Sequence, residues 1–105
     1  MLDTTPLIIA VDRFADRLRA APQSRLQRGA AAEGLAVARR LAVRAQRIEA
    51  PEREPRTMPD AGIFAIGDQL AVAGRDLAVA LETAPSAELD EAVRFVDEAT
   101  ARAFA

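Results

Sequence analysis

The sequence contains no cysteine, histidine, lysine, asparagine, tryptophan or tyrosine, and its only aromatic residues are four phenylalanines. Without cysteine there is no disulfide framework and no thiolate metal site. Without histidine the chain lacks the side chain that most often moves a proton near neutral pH. The Glu-x-x-His motif of di-iron bundles is excluded with it. The only serines, Ser24 and Ser86, precede helical patterns and read as caps rather than nucleophiles. Gly29 and Gly34 have the glycine spacing of a phosphate loop, but no Lys-Ser/Thr follows and both lie in a helical pattern. Asp12 and Asp16 share a polar helix face and read as solvated acids, not as a metal pair. No enzyme activity, cofactor or metal is expected.

Long apolar runs are absent too. Nothing approaches the roughly 18 residues of a membrane span, and the start lacks a basic segment followed by an apolar one. The expected compartment is the cytoplasm, with no membrane partner.

What is present is alanine, 25 of 105 residues, within a chain that is 50% hydrophobic. That composition favours helix and thin side chains at helix contacts, and the length suits a single domain, 1–105, with one core. The basic charge is carried by arginine alone, 14 residues against 16 acids. It is unevenly placed. Residues 1–56 hold eleven arginines and seven acids, net +4, whereas residues 57–105 hold three and nine, net −6. A basic half and an acidic half can attract each other within the fold or across a subunit boundary.

The central stretch is Ser24 to Ile48. Leu26, Ala30, Gly34, Val37, Leu41, Ala45 and Ile48 recur at spacings of three and four, which marks one buried helix face. Arg25, Arg28, Arg39, Arg40, Arg44 and Arg47 fall opposite, with Glu33 the only acid among them. Ser24 and Gln27 form a capping-box pattern at its start. As one helix over 24–48 it would be about 37 Å long.

Before it, Thr5-Pro6 opens a helix over about 6–20, with Leu7, Val11, Phe14 and Leu18 inward and Ile9 partly exposed. Pro22 ends it. Three prolines between Pro51 and Pro59 predict an irregular loop over 50–59. Pro59 and Asp60 then start a third helix, 60–83, with Ile63, Ile66, Leu70, Leu77 and Leu81 in its core stripe. Beside that stripe run Gly67, Ala71, Gly74 and Ala78, expected to meet the alanine edge of the second helix closely. Val72 and Val79, a heptad apart among Asp68, Arg75 and Asp76, form a candidate second interface. Pro85 and Ser86 open a fourth helix, 86–103, whose tail residue Phe104 is in phase to dock.

The fold expected is all-α, an antiparallel four-helix bundle, and it resembles helical bundles as a class. The function expected is a non-catalytic helical interaction or adaptor protein that self-associates, as a homodimer, or docks another protein. Its candidate partner-binding residues are Arg39, Arg40, Arg44, Arg47, Val72 and Val79. The alternative is a nucleic-acid-associated protein using the same arginine face of helix 24–48.

Overall fold

Proline at position 6 sits in the first turn of α1, Thr5–Ala20, where its missing N–H leaves no bond unmade. The expected Thr5 hydroxyl cap does not form, because Thr4 takes the cap position and makes no side-chain bond. Asp3 substitutes for it, one carboxylate oxygen accepting the Thr5 N–H at 3.0 Å. The Thr5 hydroxyl and amide together hold the Asp3 carboxyl below its ordinary pKa. At the other end Ala21 is extended ahead of Pro22, as a pre-proline residue prefers.

The computed structural model covers residues 1–105, and its remaining long helices are α2, Ala31–Glu49, α3, Ile66–Leu81, and α4, Ser86–Ala103. It contains no strand. All four helices contribute to one cluster of 25 buried apolar residues. No helix is long and apolar enough to cross a membrane.

The expected long helix over 24–48 is broken. A single helical turn, Gln23–Arg25, leads into a widened turn, Leu26–Ala30, closed by a bond from the Ala31 N–H to the Leu26 carbonyl. Gly29 causes the break: its φ of 139° is open to glycine and strained for other residues. The Ser24–Gln27 capping box does not form either, since Pro22 occupies the cap position. Even so, Leu26, Ala30, Gly34, Val37, Leu41 and Ala45 are all buried. Ile48 is not; it lies 37% exposed in the last turn, beyond the core.

The irregular segment is longer than the prolines suggest, running from residue 50 to 65. The third helix does not start at Pro59 and Asp60, because Asp60 bonds its carboxylate to the Gly62 N–H at 2.8 Å. Such a side-chain turn competes with helix, and Gly62 at φ 96° completes it. Ile63 is consequently outside α3 and half-buried.

This strap runs back along α2. Gln46 accepts the Arg56 N–H at 2.8 Å and donates to the Arg56 carbonyl at 3.1 Å. Further along, Arg39 donates to the Met58 carbonyl and Gln69 to the Pro59 carbonyl, both at 2.8 Å. The chain thereby regains the Gly34 end of α2, where Ile66 opens α3. As a result α2 and α3 run parallel, a departure from the alternating arrangement expected. The pairs Arg75–Asp12 and Arg19–Asp68 show α1 antiparallel to α3, and Arg102–Glu33 and Arg44–Glu91 show α2 antiparallel to α4.

The glycine edge of α3 meets α1 rather than the alanine edge of α2. A Cβ at Gly74 would lie 2.6 Å from Val11, and one at Gly67 2.9 Å from Arg19. The close approach of α2 is through its own Gly34, against Ile66 and Leu18. Ser86 is the first residue of α4 and caps nothing, with Pro85 before it making the break. Phe104 does dock, edge-to-face on Phe14 at 6.3 Å.

Candidate functional site

Arg40, Arg44 and Arg47 recur at four and three residues along α2, so they share one face, and Arg39 stands one position round from them. With Thr57 of the strap and Glu91 of α4 they line an open groove of about 530 Å³. Four guanidiniums against one carboxylate make its lining +3.

Each neighbour fixes a different arginine. The Arg39 Nε bond to the Met58 carbonyl ties that guanidinium to the strap, leaving its terminal nitrogens unused by the protein. Arg40 lies over the ring of Phe95, 4.8 Å from its centroid, a cation–π arrangement that holds the guanidinium against α4. Arg44 is only 23% exposed and stands 3.8 Å from Glu91, too long for a hydrogen bond and screened by water. Arg47 has no ion-pair partner. Guanidinium does not give up a proton near neutral pH, so the groove arginines can bind and orient an anion but do not themselves act as acid or base.

The six candidate residues do not form one surface. Val72 and Val79 are exposed, at 59% and 64%, on the outer side of α3. Val72 borders a separate cleft between α1 and α3 with Asp12, Asp16, Arg19, Asp68 and Arg75. The charges there are already spent on one another. Arg75 makes a two-pronged contact with Asp12 at 3.0 and 3.1 Å, and Arg19 bonds Asp68 at 2.7 Å and Asp16 at 3.2 Å. The Asp68 carboxylate, more than Asp16, raises the Arg19 pKa further above its ordinary value. Asp12 and Asp16 are thus ion-pair partners rather than simply solvated acids. No group of three or more acidic side chains is placed to hold a metal ion.

Two features escaped the pattern of the sequence. Phe64 is 76% exposed at the end of the strap, where helical spacing had buried nothing but also shown nothing. A second set of arginines, Arg17, Arg25, Arg28 and Arg102, gathers at the far end of the bundle. Gly29 was the available signal for it, since the break there separates Arg25 and Arg28 from the groove arginines.

Against known proteins, no family model, no curated protein and no solved structure matches this chain.

Proposed function

We propose that this protein is a non-catalytic helical interaction module that self-associates. The arginine groove of one copy receives the acidic outer side of α4 of a second copy. The observation that carries this reading is charge: a groove is lined by four guanidiniums and one carboxylate, and α4 also carries Asp90 and Glu98, exposed acids that form no ion pair within the chain. Glu98 lies two turns along α4 from the groove residue Glu91 and so on the same helix face, and a twofold axis can place groove and acidic side against each other in both directions. The valines, on a different side, are left to a separate contact, because one twofold interface cannot use both surfaces. The cytoplasm remains the compartment we assign.

Light scattering tests it. A dimer mass is expected at about 0.1 M salt and a monomer at about 1 M, as the Debye length falls from roughly 10 to 3 Å. Arg40→Glu with Arg44→Glu should give a monomer at both. Mixing that variant with Asp90→Arg/Glu98→Arg should restore a dimer, since the signs are exchanged across the interface. A monomer throughout, or a dimer indifferent to all four changes, overturns the reading.

The second reading, nucleic-acid association, draws on the same open basic groove. It is weakened by the absence of a free aromatic face there, since Arg40 covers Phe95.

A further inference from the structure

The widened turn at Leu26–Ala30 does more than end a helix early. It brings Arg25 and Arg28 to the end of the bundle where α4 finishes, and there they line a cavity of about 450 Å³ with Arg102 and Glu33. A second cleft of about 330 Å³ shares Arg25 and Arg28 and adds Arg17 and Phe104. Four arginines therefore border two clefts that share Arg25 and Arg28, and Glu33 is the only acidic side chain lining either.

The four are not equally committed. Arg102 bonds Glu33 at 2.8 Å, which fixes its guanidinium at the edge of the cavity. Arg17 lies over the ring of Phe104, 4.2 Å from its centroid, and Phe104 is itself held edge-on by Phe14. Arg25 and Arg28 have neither a carboxylate nor an aromatic partner. Two guanidiniums are thus placed by neighbours and two stand free between them. Gly29, exposed, lines the first cleft as well, with nothing within 4 Å of where a Cβ would be.

We propose that this cavity is an anion site for a compact ligand carrying two or more linked phosphate groups. Guanidinium forks match phosphate oxygens two at a time, and four of them beside one acidic side chain suit several linked anionic groups rather than a single carboxylate or sulfate. The only aromatic ring present, Phe104, has its face taken by Arg17, so the cavity offers no stacking surface for a nucleobase. The phosphate chain is what it recognises. The site is separate from the α2–α4 groove and does not depend on the self-association proposed above.

Isothermal titration of the whole protein with sodium tripolyphosphate tests this, with sodium sulfate and ATP as further titrants at matched ionic strength. Saturable one-to-one binding of tripolyphosphate is expected, with ATP binding within about threefold of it, since the base adds nothing. Each of Arg25→Ala and Arg28→Ala should weaken it about tenfold, the loss of one charge-assisted hydrogen bond. Arg28 is exposed and Arg25 half-buried, and circular dichroism will show that the variants fold. Arg53→Glu/Arg94→Glu, at exposed arginines outside both clefts and the groove, lowers the net charge more and should leave it unchanged. Sulfate binding as tightly as tripolyphosphate would mark general charge attraction and overturn the proposal, as would equal loss in that control variant. ATP binding more than tenfold tighter would show a base pocket and refute the phosphate-chain specificity. Short duplex DNA that outcompetes tripolyphosphate at equal phosphate concentration would assign the cluster to nucleic acid instead.

Discussion

Gly74→Ala places one methyl where α3 touches α1, and its cost can be worked from three distances. The new carbon would stand 2.6 and 2.8 Å from the two Val11 methyls and 2.9 Å from the Val11 Cβ. Carbon atoms rest comfortably at about 3.5–4.0 Å, so about 1 Å must be found. Rotating Val11 could move its methyls but not its Cβ, and Val11 is wholly buried, so the relief has to come from the backbones of α1 and α3. Overpacking of this kind costs about 1–3 kcal/mol. Replacing a mid-helix glycine returns about 1 kcal/mol through helix propensity. The net for Gly74→Ala is a destabilisation of about 0–2 kcal/mol, and Gly74→Leu, with three further carbons, should exceed it clearly. Gly67→Ala is the control, because it meets the pliable Arg19 side chain and a carbonyl at 3.2 Å. Its propensity gain should cancel most of the cost. Urea unfolding followed by circular dichroism gives the ranking, and Val11→Ala combined with Gly74→Ala should recover part of the loss. A Gly74→Ala midpoint above the wild type by the full propensity gain, or an unchanged Gly74→Leu midpoint, would refute this packing of α3 on α1.

Other expectations follow from single contacts. Trypsin should cut first at Arg53 or Arg56 in the strap, and Gln46→Ala, which removes both bonds to Arg56, should speed that cleavage; first cleavage at Arg39 or Arg75 would contradict the helix boundaries. Phe104→Ala should lower stability by about 1–2 kcal/mol, the sum of an edge-to-face pair and an exposed cation–π contact, and an unmoved urea midpoint would mean the tail is not docked. Asp3 carries a pH dependence of definite sign. Its folded pKa is depressed, so its support for the start of α1 is complete above the unfolded pKa and lost as pH falls through the folded one. The Thr5 amide resonance should titrate with a midpoint below the ordinary aspartate value, and a midpoint at or above that value would break the link.

The periodicity that marked four amphipathic helices was sufficient for the fold class, because burial of Leu7, Val37, Leu70 and Val96 follows directly from spacing. Direction was not legible. Whether α3 returns parallel or antiparallel to α2 depends on Gln46 and Arg39 holding the strap along α2, and those are contacts between residues ten and nineteen positions apart. Helix starts were misread where a side chain outbid the helix, as Asp60 does at Gly62. Gly29 illustrates the same limit: a helical stripe continues through it, so only its backbone angle reveals the break. For the candidate site, spacing alone gathered Arg40, Arg44 and Arg47, and it could not say that Glu91 would be the only acid facing them or that Phe95 would lie beneath Arg40. The second cluster needed the docked tail, since Arg17 and Arg102 meet it from opposite ends of the chain.

The arginine groove as a surface for another copy of this chain is the central claim. Light scattering at about 0.1 M salt on an equal mixture of Arg40→Glu/Arg44→Glu with Asp90→Arg/Glu98→Arg, beside each variant alone, tests it most directly, because long-range screening is modest at that ionic strength. A dimer in the mixture and monomers in the separate samples is the predicted result. Monomers in all three, with duplex DNA bound by the wild type and lost on Arg40→Glu, would contradict it and hand the groove to nucleic acid.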